Sequence, residues 1–342
     1  MAKKDFIDIL ERKGYNVKVE KIEGGFSNDV KRIIAEKDGK IAEYFFKKYG
    51  SKEEMNSMLR GYGIISGKIK TPTIVYNNPE KREVVYDILT GKSIKSLIEK
   101  GDRRAENAVY QLAKEIQKLH EIEEYNPRYS KGDSSDEVKI RKNAIKVFKK
   151  GRINSEQLNQ IQRGLREYIP KKKRIIQGDA HLGNFMYTDS GELYMIDLDN
   201  VKLSDPNADL GKIVESIDQL ENERKINGSK SNALKKLFLD MYRGEDQKAI
   251  YLHQLRTPLI RTKQGDKEAI PRIRNILSNL GSLEARVAAS IIAISLIFSL
   301  IGRKISGFVF LEKVQVGNFS NILLIFIILG LFVYFIFKKK NY

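Results

Sequence analysis

The 342-residue sequence predicts an α+β fold of two lobes, a small antiparallel sheet followed by a helical lobe, with two apolar helices at the carboxy-terminus. Three observations carry this. Strand-like runs crowd the first 90 residues, long helical periods begin after Gly91, and two uncharged runs follow Arg286. The boundaries expected are 1–90 for the sheet lobe, 91–280 for the helical lobe and 286–342 for a membrane hairpin with a short basic tail.

The opening MAKKDFIDILERKGY reads as a short amphipathic helix without the apolar core of a signal peptide, so nothing in it directs secretion. NVKVEKIE, DVKRIIAE and KIAEYFFKKY follow as strands of a meander, and Asp38-Gly39 between the last two is a hairpin turn signal. Ser51 to Arg60 places Met55, Met58 and Leu59 on one helical face, and TPTIVYN and REVVYDIL add two strands. Beyond Gly91, AENAVYQLAKEIQKLHEI, SDEVKIRKNAIKVFKK and SEQLNQIQRGLREYI have helical period. A proline stop and the short strand of PKKKRIIQGD come next, and helical patterning resumes over 209–280.

The first apolar run, VAASIIAISLIFSLIG between Arg286 and Arg303, is short for a crossing; the second, Phe319 to Phe337, has the necessary length. Both are expected to cross, because KKK at 338–340 favours the cytoplasmic side and an even number of crossings returns the chain to the side on which Arg286 begins; the alternative is a single crossing, with the first run lying in the interface. The expected location is the cell membrane, with residues 1–280 cytoplasmic.

The chain has no cysteine, which removes disulfides, thiolate zinc sites and cysteine nucleophiles together. Its formal charge of +18, from 62 Lys and Arg against 44 Asp and Glu, suits a phosphate-rich partner or a solvated lysine-rich surface. The basic residues are spread along the chain, and neither an RNP-type aromatic signature nor zinc-finger spacing is present, so nucleic acid is not the expected partner.

The chemistry concentrates in QGDAHLGNFMYTDSGELYMIDLDN, residues 177–200. Asp179 and Asn184 sit on a loop after a strand, and a turn near Gly191 leads back along YMID to Asp197. Such a hairpin brings its ends together. Asn184 and Asp197 then offer hard oxygen ligands suited to Mg²⁺, and Asp179 is left to accept a proton. This division is that of phosphoryl transfer in kinases, and the Asp-x-x-x-x-Asn spacing is met by Asp179 and Asn184. Turn and capping chemistry accounts for Asp189, before Ser-Gly, but not for the whole spacing. Asp199 stays open between the same turn chemistry and contact with metal or a substrate amine.

QGDAHLGNF followed by MIDLDN resembles the kinase-like phosphotransferase superfamily that includes aminoglycoside phosphotransferases and choline kinases. Its usual form is HGDxHxxN followed by IDxx. The resemblance implies a bilobal protein-kinase-like fold and transfer of the γ-phosphate of ATP or GTP, with Mg²⁺, to a small-molecule or lipid-linked hydroxyl. Asp179 would be the catalytic base, and Asn184 and Asp197 the metal ligands. Gln177 departs from the pattern, standing where the family has a structural His. DPNADLGKI resembles the segment in which an Asp, here Asp209, braces the catalytic loop.

In the first lobe, KIEGGFSNDVKRI matches the family's GGxSN loop, so the resemblance lays Gly24, Gly25, Ser27 and Asn28 over the nucleotide. Strand alternation leaves Lys47 and Lys48 on opposite faces. The family's lysine follows a short apolar run, which selects Lys47. Glu53 and Glu54 both have the position to pair with it, and the family's glutamate followed by an apolar residue selects Glu54. VVYDILTGKSI resembles the hinge against the base, with backbone groups from Asp87 to Leu89 carrying the contact. His120 and His253 are expected to pack or cap, and His181 to shape its loop.

Two alternatives stand beside the enzyme. One is a pseudokinase serving as a membrane adaptor, kept alive by Gln177. The other is an atypical protein or quinone-lipid-linked kinase, a branch whose KxGQ signature is absent here.

Overall fold

The structure, a computed structural model, describes residues 5–22, 29–123, 136–168, 173–242 and 246–304. It divides into two units, Met1–Leu277 and Ser278–Tyr342. In the first, helix α1 (Phe6–Arg12) precedes strands β1 (Asn16–Lys21), β2 (Asp29–Lys37) and β3 (Lys40–Lys48). Helix α2 (Lys52–Ile65) follows, then β4 (Ile74–Asn78) and β5 (Glu83–Asp87). These strands form one antiparallel sheet in the order β1-β2-β3-β5-β4. Asp38 and Gly39 both have positive φ, 54° and 71°, the backbone that an Asp-Gly hairpin signal demands.

The helical part begins with β6 (Gly91–Ser93), α3 (Ile94–Glu99), α4 (Ala105–His120), α5 (Asp136–Lys149) and α6 (Ser155–Glu167). It continues with β7 (Arg174–Ile176), a 3-10 turn at Leu182–Asn184, β8 (Phe185–Thr188), β9 (Leu193–Met195) and β10 (Lys202–Ser204). Helices α7 (Asn207–Asn222), α8 (Gly228–Met241), α9 (Gln247–Gln254), α10 (Arg256–Gln264) and α11 (Ala269–Lys304) complete it. The hairpin β8–β9 pairs Phe185 with Met195 and Tyr187 with Leu193, and β6 pairs with its other edge. Strands β7 and β10 form a separate short pair. The three-residue strands β6 and β10 and the short helix α3 were not legible, since so few residues show no period.

One apolar core runs through both parts. Met55, Met58 and Ile65 of α2 and Val84 of β5 share it with Leu97, Leu112, Ile116, Phe185, Leu210, Ile213 and Phe238. A smaller cluster of Leu10, Ile33 and Ala35 holds α1 on the sheet, and Phe6 meets Tyr44 edge-on at 5.1 Å between ring centres.

Two expectations about the carboxy-terminus have different outcomes. The first apolar run lies within α11, which continues out of the polar segment before it. Among the described residues no helix is long and apolar enough to cross a membrane. The expected first crossing is thus not shown by the described residues. The second run, 319–337, lies outside the described residues.

Helix α2 positions the site because it packs against the segment after β9. A Cβ at Gly61 would stand 2.8 Å from the Leu198 carbonyl oxygen and 2.9 Å from Val201 Cβ, whereas one at Gly63 of the same helix meets nothing within 4 Å. Gly61→Ala is therefore expected to destabilise the protein by about 1–3 kcal/mol through overpacking. Gly63→Ala should stabilise it by about 0.5–1 kcal/mol through helix propensity. Urea unfolding of the two variants reads the opposite signs.

Candidate active site

The catalytic loop is held from beneath. Asp209, on α7 and 1% exposed, accepts hydrogen bonds from the Gln177 and Gly178 backbone amides at 2.8 and 2.9 Å. His120, at the end of α4, stands 3.2 Å from the same carboxylate through Nε2 and 2.8 Å from the Tyr242 hydroxyl through Nδ1. Gly178 has φ +80°, and a Cβ there would lie 2.3 Å from the Asn200 carbonyl oxygen, so only glycine fits between loop and hairpin.

Gln177 explains its own presence. Fully buried, it donates through Nε2 to the Asp197 carbonyl at 2.8 Å and accepts through Oε1 from the Asp179 amide at 2.7 Å. One carboxamide thus ties the loop bearing Asp179 to the backbone of Asp197. Asp197 has φ 56°, a conformation disfavoured for residues other than glycine and least so for Asp and Asn. The bond from Gln177 helps fix it. Donor and acceptor on one neutral side chain serve both ends here, so the departure from His leaves the link intact.

The ends of the β8–β9 hairpin meet where the sequence placed them. Ile196 N donates to the Asn184 carbonyl at 2.9 Å, which sets Asn184 beside the residue preceding Asp197. Asn184 is 6% exposed, and its Nδ2 donates to the Asp179 carbonyl at 3.0 Å. Its amide oxygen takes no hydrogen bond among the described residues. His181 caps the 3-10 turn by accepting from Gly183 N at 3.0 Å, and burial holds its imidazole below the ordinary pKa. It shapes the loop.

Lys47 reaches this hairpin from the sheet. Its ammonium lies 3.1 Å from Asp197 Oδ1 and 2.8 Å from Asp199 Oδ2, and 4.7 Å from the centre of the Tyr49 ring. Burial works against its charge, but the two carboxylates outweigh that and hold its pKa above the usual value. The Asp199 carboxyl is pushed up by burial and then by Asp197, despite Lys47. Tyr49 donates to Asp199 at 3.2 Å, stands 3.2 Å from the Tyr86 hydroxyl, and Tyr86 in turn contacts Met58 Sδ. Burial raises the pKa of both phenols.

The expected pair of Lys47 with Glu54 is not formed. Glu54 turns back to the start of α2 and accepts from Gly50 N and Ser51 N at 3.1 and 3.3 Å, while Ser51 accepts from Glu54 N, a capping box. Two orphan amides at the helix start claim the carboxylate. The Ser-x-x-Glu spacing was a readable sign of this.

Lys47, Asn184 and Asp197 line one cavity of about 390 Å³ between the sheet and the hairpin. Val30, Phe45 and Pro72 supply apolar wall from the sheet side, and Met186, Ile196 and Leu198 from the other; Asp87, Ile88 and Leu89 close an edge. Asp87 and Leu89 thus stand at the cavity as the sequence placed them, whereas Gly24, Gly25, Ser27 and Asn28 lie outside the described residues. The apolar walls suit a planar aromatic base. Lys47, Asn184 and Asp197 supply its polar side, with Asp199 paired to Lys47 next to it, and the oxygens of Asn184 and Asp197 suit a hard divalent cation.

Sequence reasoning missed Tyr49, Tyr86 and Lys212. Lys212 Nζ lies 3.3 Å from Asp179 Oδ1, and its spacing from Asp209 on α7 was the available signal, since i and i+3 share a helix face.

Asp209→Asn would present an amide group to one of two N–H donors, losing a charge-assisted bond in a buried place. A loss of about 2–3 kcal/mol is expected in urea unfolding. Nucleotide binding should weaken with it, because Gln177 carries the strain on to Asp197.

Residues 18–230, more than half of the chain, match the model of the phosphotransferase enzyme family. Among curated proteins no sequence relative is found. The fold is similar to choline kinase from Cryptosporidium parvum Iowa II, at 14% identity and TM-score 0.56, over 84% of this chain and 97% of that one. It is similar to choline kinase from Streptococcus pneumoniae at 15% identity and TM-score 0.52, over 81% and 99%. A thermostable aminoglycoside phosphotransferase solved with ADP and hygromycin B gives 13% identity and TM-score 0.55, over 80% and 97%. The architecture is accordingly the kinase-like bilobal α+β fold, and the chain belongs to the phosphotransferase enzyme family.

Proposed function

We propose that this chain transfers the γ-phosphate of ATP or GTP to a hydroxyl of a small-molecule or lipid-linked acceptor. The observation that carries this reading is the convergence of Lys47, Asn184 and Asp197 on one cavity, next to the Asp179 loop. One similar structure holds ADP together with hygromycin B, and others are choline kinases, which supports a nucleotide and a small hydroxyl compound.

In this reading the base lies between the apolar walls, with the backbone from Asp87 to Leu89 against its edge. Gly24, Gly25, Ser27 and Asn28 cover the phosphates with backbone amides. Lys47 binds the α and β phosphates as a point charge. Asn184 and Asp197 hold Mg²⁺, which when bound neutralises phosphate oxygens. Asp179 orients the acceptor hydroxyl and takes its proton. Membrane attachment through the uncharged run 319–337, with the catalytic part facing the cytoplasm, is part of the same proposal. Deleting 319–342 is then expected to move the protein from the membrane to the soluble fraction of lysed cells, and retention with the membrane would refute it.

Asp179→Asn is expected to lower turnover on the order of a thousandfold while nucleotide affinity stays within about twofold. Asp197→Asn should also weaken Mg²⁺-dependent nucleotide binding, read by thermal shift and calorimetry. Equal loss of nucleotide binding in both variants would show that the roles are misassigned. Normal ATP binding without transfer to any acceptor would favour the adaptor reading.

A further inference from the structure

The surroundings of Asp179 carry an excess of basic groups. Lys212, with its side chain 19% exposed, donates to Thr257 Oγ1 at 2.9 Å and stands 3.3 Å from Asp179 Oδ1. Arg256, at the start of α10, donates to the Gly178 carbonyl at 3.2 Å and lies 3.4 Å from Asp136. Lys202 approaches the same Asp136 at 3.7 Å.

The carboxylates behind the loop are committed elsewhere. Asp209 is spent on two backbone amides, Asp205 on His253 at 2.8 Å, Glu215 on Arg272, and Asp136 faces two cations. Among these residues none is left to receive an ammonium group. A cationic acceptor placing its hydroxyl on Asp179 would bring its charge against Lys212 and Arg256, an unfavourable contact at short range.

The proton transfer sharpens the point. When Asp179 takes a proton, the half-buried ammonium of Lys212 loses its nearest counter-charge. Burial already holds that ammonium below its ordinary pKa. An anion on the acceptor, close to the reacting hydroxyl, would restore the balance while accepting a charge-assisted hydrogen bond.

On the phosphotransferase reading above, we infer that the acceptor is a hydroxyl compound bearing a carboxylate or phosphate group, bound through Lys212 with Arg256 behind it. The hydroxyl oxygen forms the new bond to the γ-phosphorus, the bond from that phosphorus to the β-bridging oxygen breaks, and the hydroxyl proton passes to Asp179.

The test uses the full chain, labelled ATP and Mg²⁺. An extract of soluble metabolites and lipids is separated on ion exchangers into anionic, cationic and neutral fractions, and glycerate, glycerol 3-phosphate, choline and ethanolamine serve as defined probes. Label incorporated from the anionic fraction is expected, and phosphatase treatment of that fraction beforehand distinguishes a phosphate-bearing acceptor, whose label is lost, from a carboxylate-bearing one, whose label persists. Label in the cationic or neutral fraction alone, or preference for choline and ethanolamine over both anionic probes, overturns the inference while leaving the phosphotransferase reading standing. Label in no fraction counts against both. With the labelled anionic acceptor, Lys212→Met should raise its KM about tenfold or more with the KM for ATP nearly unchanged, and Lys212→Arg should recover most of the loss. A rise confined to the KM for ATP would assign Lys212 to the nucleotide and sink the inference.

Discussion

The carboxylate of Asp209 is buried and receives two successive backbone amides, those of Gln177 and Gly178. Everything on the acceptor side of the site hangs from that grip. A buried carboxylate is costly unless its lone pairs are filled, and here two amides fill them, with His120 beside the same group. The amides in turn fix Gly178 at a positive φ, Gln177 follows with its side chain buried, and through Gln177 both the Asp179 amide and the Asp197 carbonyl are set. Asp179 and Asp197 are thus placed by one chain of bonds that starts outside the cavity.

On the nucleotide side the organising element is electrostatic. Lys47 sits between Asp197 and Asp199, and the buried phenols of Tyr49 and Tyr86 fill the space behind. Three charges in a partly desolvated pocket interact more strongly than they would in water. The oxygens of Asn184 and Asp197 there complement a divalent ion rather than phosphate alone.

The parts of this arrangement that were legible in the sequence are those fixed by local spacing. Asp179, Asn184 and Asp197 lie on a single hairpin, so their proximity follows from a turn at Gly191 and two short strands. Lys47 followed from strand alternation together with the family resemblance. Glu54 misled because two roles compete for one residue: position suggested a partner for Lys47, while the Ser51 spacing signalled a helix cap, and the cap is what forms. Arg256 and Tyr49 were hidden because their partners are distant in sequence and no periodicity reports such contacts, whereas Lys212 was signalled only by its i, i+3 spacing from Asp209. The apolar run after Arg286 lies in helix α11, as its pattern indicates, and among the described residues no helix is long and apolar enough to cross a membrane.

The close approach of Gly61 to the Leu198 carbonyl bears on how the enzyme tolerates change. With Gly61 set directly against the Leu198 carbonyl and the Val201 side chain, the helix and the segment bearing Asp197 have little slack to absorb a misfit. Substitutions on the outer face of α2 that tilt it by a few tenths of an ångström would therefore be felt at Asp197, although they touch neither nucleotide nor acceptor. Drift along that helix should accordingly be constrained more tightly than its exposure suggests.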